Sequence, residues 1–184
     1  MTRLYRFAFR DRTLWKHVWY VFVLALADLT IADRIFAFLP GRFHPDPRPF
    51  LRDRLELMGA ALSNQSEFLQ KAASMVDDAV LLAPVVEEVL FRGLPILVAR
   101  SLERRLCRNA GRWSVLTIGT FSSLFFAWLH NPFLGSMPVS ILVFAILAWC
   151  VAWNWDLRNS ILLHIFVNGL IYAEVLQQVM MSAG

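Results

Sequence analysis

The chain has 184 residues, enough for one compact domain, and 58% of them are hydrophobic. With a mean hydropathy of +0.52, that composition excludes a soluble fold of this size. The net charge of +4 gathers at the N-terminus and between residues 100 and 112, which points to anionic lipid as a partner and needs no nucleic acid.

In chain order, MTRLYRFAFRDR reaches an apolar stretch only after Lys16, and that stretch carries Asp28, Asp33 and Arg34 without a small-residue cleavage site. It reads as a retained helix, not a cleaved signal peptide, with Asp28 either a buried structural acid or a cavity-lining residue. A membrane span needs about 20 mainly apolar residues, and five candidates lie near 17–39, 78–99, 113–131, 137–154 and 159–180. Between the first two, the prolines and charges of GRFHPDPRPFLRDR forbid a span. The following LELMGAALSNQSEFLQKAASM repeats apolar residues at helical spacing among polar ones, as an interfacial amphipathic helix does. The expected fold class is all-α, a polytopic membrane bundle of about five transmembrane helices plus that interfacial helix. Residues 1–77 would form an N-terminal part and residues 78–184 the helical core.

Basic residues set an orientation. Arg3, Arg6, Arg10, Arg12 and Lys16 precede the first span, and Arg100, Arg104, Arg105, Arg108 and Arg112 follow the second, so both ends are expected in the cytoplasm. The turn WDLRNS would then lie inside, with NPFLGSM and the C-terminus outside. Arg42, Arg48, Arg52, Arg54 and Lys71 run against this scheme, since it puts the segment 39–77 outside. Cys107 and Cys150 are poorly placed to pair, which argues against a disulfide framework and against a Cys-rich zinc site.

Three elements carry chemistry. In APVVEEVLFRGLP, the charges of Glu87, Glu88 and Arg92 interrupt an apolar helix at a cost of about 2.5 to 3.5 kcal/mol each on insertion scales. Glu88 and Arg92 are four residues apart with the acid N-terminal, the better orientation for a pair, so Glu88 is the expected partner of Arg92. Glu87 points about 100° away around the helix and has no cation on its own helix. It is either a general base or a protonated acid hydrogen-bonded to a neighbouring helix.

In FSSLFFAWLHNP, His130 closes an apolar helix, with Phe126 one turn back on its face and Pro132 expected to end the span at Asn131. A histidine there can be a helix-end residue that suits the dipole or part of a site. In NSILLHIFVNGL, His164 and Asn168 share one face of the last span and must meet polar partners, as helix–helix glue or as catalytic groups. Taken together, a carboxylate, two imidazoles and an amide on three helices are the minimal set for acyl hydrolysis by water. These boundaries put Glu87 near mid-membrane, His130 toward the outer end and His164 toward the inner, so the helices must tilt or shift for the groups to meet.

These elements resemble, in order and spacing, the motifs of the CPBP family of intramembrane proteases, also called the CAAX protease and bacteriocin-processing or Abi family. The matches are EExxxR at Glu87, Glu88 and Arg92, FxxxH at Phe126 and His130, and HxxxN at His164 and Asn168. The FRG after the glutamates and the RNSILLH run ending at His164 are similar too. The resemblance covers roughly residues 78 to 175 and implies an integral membrane protease, in a bacterial inner membrane, acting on membrane-associated proteins or peptides near the membrane surface. It further implies that Glu87 and His130 activate water while His164 and Asn168 hold the oxyanion, with Glu88, Arg92 and Phe126 as structural support and no cofactor. The alternatives are a metal-dependent peptidase with Glu87, His130 and His164 as zinc ligands, though HExxH is missing, and a non-catalytic binding or immunity protein on the same scaffold.

Overall fold

The computed structural model describes residues 14–36, 52, 53, 55–57, 65–106, 108–134 and 139–182. Every element among them is helical: α1 (Leu14–Phe36), α2 (Gln65–Val76), α3 (Ala83–Glu88), α4 (Leu94–Arg105), α5 (Arg108–Leu134), α6 (Val139–Asn154) and α7 (Leu157–Ser182). Arg3, Arg6, Arg10, Arg12, Arg42, Arg48, Arg54, Cys107 and the tip of the loop after Leu134 lie outside the described residues, while Lys16 falls in the first turn of α1. Cys150 is a free thiol.

α2, α3 and α4 form one continuous helix, joined by π-helical stretches at Asp77–Leu82 and Val89–Gly93 whose flanking residues all keep right-handed helical angles. The amphipathic segment therefore runs directly into the second expected span. One side of it packs on α7, where Ala72 is buried with Leu55 against Tyr172, Val175 and Val179. The Tyr172 hydroxyl donates to the Ala72 carbonyl at 2.7 Å.

α5 also departs from the sequence boundary. It passes through Asn131 and Pro132 and ends at Leu134. A proline in the last turn removes one ladder bond without breaking the turns before it, so Pro132 does not terminate the helix where expected.

α7 is the centre of the bundle, packing on α1, α3 and α6, while α5 lies between α4 and α6. Val21, Ala25, Phe144, Ala145, Ala148, Leu163 and Val167 fill the space where α1, α6 and α7 meet. A second cluster, Ile96, Ala99, Trp149, Ala152 and Leu157, seals the end near the α6–α7 turn.

The distribution of polarity is inverted relative to a soluble protein. Glu88, Arg92, Ser122, Asp156, Asn159, Ser160 and His164 are buried, whereas Trp19, Phe121 and Trp128 are exposed at 67%, 72% and 63%. Rings so exposed would be a liability in water and are at home against lipid. Leu157–Met181 is long and apolar enough on its own to cross a membrane, and Val18–Thr30 and Ile141–Asn154 are shorter apolar helices. The chain is an all-α membrane bundle.

One glycine sets a helix separation. A Cβ added at Gly119 on α5 would stand 2.4 Å from Nε1 of Trp149 on α6, and Trp149 is itself stacked on Trp153. Replacing a mid-helix glycine by alanine usually gains about 0.5–1 kcal/mol, but overpacking of this kind costs about 1–3 kcal/mol. Gly119→Ala is therefore expected to lower the melting temperature in detergent; an increase would mean that Trp149 moves aside freely.

Candidate active site

The site is built on faces of α5 and α7 that meet the glutamate-bearing helix. α7 starts at an N-cap, where the buried Asp156 accepts hydrogen bonds from the Asn159 backbone N–H at 3.0 Å and its side-chain amide at 2.8 Å. Arg158 pairs with the other carboxylate oxygen at 2.8 Å. From that fixed start, Ser160, His164 and Asn168 follow at four-residue spacing on one face.

Glu88 is the hub. It is fully buried and faces Nη1 of Arg92 at 3.2 Å, the pair expected from their spacing. Its carboxylate also meets Nδ1 of His164 at 3.0 Å and accepts a hydrogen bond from the Ser160 hydroxyl, which contacts the Ala148 carbonyl as well. Neither terminal nitrogen of Arg92 is aligned for a hydrogen bond, so charge and ring contact hold the guanidinium. It lies 4.2 Å from the centroid of Phe126. The sequence assigned Glu88 to Arg92 alone and missed Ser160, whose one signal was its position four residues before His164.

Glu87 is different. It is 28% exposed, and its nearest charged partner is Nε2 of His164 at 3.7 Å, just beyond hydrogen-bond length. His164 therefore stands between the two glutamates. Because a carboxylate only accepts, the contact with Glu88 puts a proton on Nδ1 and turns the Nε2 edge toward Glu87.

His130 is one ring away. Its Nδ1 lies 2.8 Å from the Phe126 carbonyl; a carbonyl only accepts, so Nδ1 donates and Nε2 of the neutral ring keeps its lone pair. The imidazole packs on Phe126 at 4.5 Å between centroids, and the same phenyl ring is 5.9 Å from His164. Phe126 thus separates the two histidines while bracing Arg92. Among the described residues, no hydrogen bond or ion pair joins His130 to Glu87, and no three His, Cys, Asp or Glu side chains are grouped to hold a metal ion.

Asn168 has an unexpected partner. Its side-chain amide donates to the Ala79 carbonyl at 3.0 Å, inside the first π-helical stretch. There the Ala83 N–H bonds five residues back to Asp78. The next residue in that register is Pro84, which has no N–H to give Ala79. Asn168 supplies the missing donor from another helix, the way a membrane protein satisfies a proline-freed carbonyl, and its second amide N–H stays available. Asn168→Ala should cost about 1–3 kcal/mol by orphaning that carbonyl, and less in a Pro84→Ala background where the backbone regains a donor. Equal costs in both backgrounds, measured by thermal unfolding, would contradict this coupling.

The Phe91 carbonyl, in the second π-helical stretch, repeats the pattern. Leu94 bonds five residues back to Val89; Pro95 follows and has no N–H for Leu90, next in that register, or for Phe91, four residues back, and the Ser122 hydroxyl of α5 donates to Phe91. Ser122 and Phe126 are one turn apart, so both meet this stretch from one face of α5, with Phe91 and Phe126 edge-to-face at 5.3 Å. Glu87 and Glu88 thus sit between two π-helical turns, each tied to a different helix. Such insertions often accompany functional sites.

No curated protein and no solved structure matches the chain. A family model does, over residues 71–170, and its description is type II CAAX prenyl endopeptidase Rce1-like. That interval holds the two π-helical stretches, the glutamates, Arg92, Phe126, both histidines and Asn168. Members of this family are integral membrane proteases acting on membrane-associated proteins. By that match, which spans more than half of its length, the chain belongs to the Rce1-like family of CAAX proteases.

Proposed function

We propose that this chain is a glutamic-type intramembrane endopeptidase in which Glu87 and His130 activate water and His164 and Asn168 hold the oxyanion. The observation that carries the reading is the division between two adjacent glutamates. Glu88 is sealed and saturated by Arg92, His164 and Ser160, while Glu87 is part-exposed and, among the described residues, makes its ion-pair contact with the Nε2 edge of His164.

In this scheme a water beside Glu87 gives up a proton to the carboxylate, and its oxygen adds to the carbonyl carbon of the scissile peptide. The His130 Nε2 lone pair orients that water or takes the same proton. The oxyanion lies toward the second N–H of Asn168 and toward Nε2 of His164, which donates there only as the imidazolium, its other N–H remaining on Glu88. As the tetrahedral adduct collapses, the carbon–nitrogen bond breaks and the proton passes to the departing amine. Catalytic contacts are commonly long before substrate binds, which fits the 3.7 Å between Glu87 and His164.

The remaining spans, an N-terminus in the cytoplasm, contact with anionic lipid and residence in a bacterial inner membrane belong to the same proposal. They are supported by the exposed Arg104 and Arg105 at the end of α4 and by the apolar outer surface. The test compares membrane fractions from cells making the wild-type protein or Glu87→Gln at equal abundance, with all new peptide termini mapped by mass spectrometry. Termini that depend on Glu87 are expected; identical termini in both would move the reading to a binding protein on a protease scaffold.

A further inference from the structure

We infer that Ser122 is a positioning residue for the glutamates, holding the π-helical turn Val89–Gly93 in register by taking the Phe91 carbonyl that Pro95 leaves without a donor. The inference rests on the peptidase reading above.

The geometry is specific. Pro95 has no N–H to offer Phe91, its α-helical partner four residues back. The Ser122 hydroxyl reaches that carbonyl from α5, and Ser122 is 8% exposed, beside the buried Arg92 and Gly93 of the turn. Within the same turn lies Arg92, whose guanidinium faces Glu88 at 3.2 Å and Phe126 at 4.2 Å. A π turn carries one more residue between bonded groups than an α turn, so reverting it to α would rotate Arg92 and everything after it relative to Glu87 and Glu88.

Ser122 is also the first member of a stripe, Ser122, Phe126 and His130, at four-residue spacing on α5. Ser160, His164 and Asn168 form the matching stripe on α7. In each stripe a serine reaches across to the glutamate helix, one to its backbone beside Arg92 and one to Glu88 itself. Ser122 thereby fixes the distance between the turn bearing Arg92 and the helix bearing His130.

The test uses the rate at which Glu87-dependent termini appear in membranes, at equal protein abundance, with thermal stability in detergent measured alongside. Ser122→Ala is expected to slow the rate about tenfold or more, as small displacements of catalytic groups do. Ser122→Thr, which keeps the hydroxyl, should restore it. In Pro95→Ala/Ser122→Ala, the backbone N–H returned at position 95 can fill the Phe91 carbonyl, so stability should recover while the rate stays low. A double variant as fast as wild type would show that Ser122 only satisfies a carbonyl, and would overturn the inference, as would full activity in Ser122→Ala or no rescue by threonine. If Glu87→Gln leaves the termini unchanged, the peptidase reading itself fails and this inference falls with it.

Discussion

Glu87→Gln is expected to reduce cleavage by roughly a hundred- to ten-thousand-fold, the contribution of a positioned general base, while folding and insertion stay as in the wild type. Glutamine keeps the shape of the side chain but cannot accept a proton at neutral pH. The side chain is 28% exposed and, among the described residues, its ion-pair contact is the 3.7 Å approach to His164, so little stability rests on it. The variant should accumulate in membranes at the wild-type level and unfold at the same temperature. A drop in abundance comparable to the drop in activity would contradict this.

Glu88→Gln is expected to act in the opposite way, through folding. It would leave Arg92, 1% exposed, as a buried cation without its counter-ion, a change that costs about 3–5 kcal/mol when one partner of a buried pair is removed. It would also weaken the hold on Nδ1 of His164 and on the Ser160 hydroxyl. The expected result is poor accumulation and a lower melting temperature. Replacing both partners, as in Glu88→Gln/Arg92→Met, should recover stability, since a buried pair is often no better than well-packed neutral groups. Activity should stay low in that double variant, because His164 would still lack the carboxylate that orients it.

Much of this was legible in the sequence because ionisable residues in an apolar helix are conspicuous. Glu87, Glu88, Arg92, His164 and Asn168 stand out against their surroundings, and the four-residue spacing of Glu88 and Arg92 gave the ion pair directly. The serines were hidden for a physical reason. A serine or threonine in a membrane helix commonly bonds the preceding turn of its own helix, as Thr30 does to Leu26 and Ser114 to Gly111. Ser122 and Ser160 carry no local mark that they reach across instead. Pro84 and Pro95 did carry one. Each removes a donor inside a span, and each freed carbonyl had to find another, but composition alone cannot say which helix supplies it.

The three motifs meet in part: His164 reaches Glu88, while Phe126 stands between His164 and His130. α7 begins at Leu157, capped by Asp156, so Ser160 and His164 reach Glu88 from the first turns of the helix. α5 carries His130 within a helix that continues past Pro132. The amphipathic segment gave no sign that it would join the second span, because a π-helical stretch keeps helical backbone angles while shifting the register, and Asp77 and Asp78 at its start look like an interface.

The most direct test of the division between the glutamates measures Glu87→Gln and Glu88→Gln side by side for cleavage and for thermal stability in one detergent. The expected result is a stable, inactive Glu87→Gln and an unstable Glu88→Gln. A Glu87→Gln variant that still produces the wild-type peptide termini, or two variants equally unstable, would contradict it.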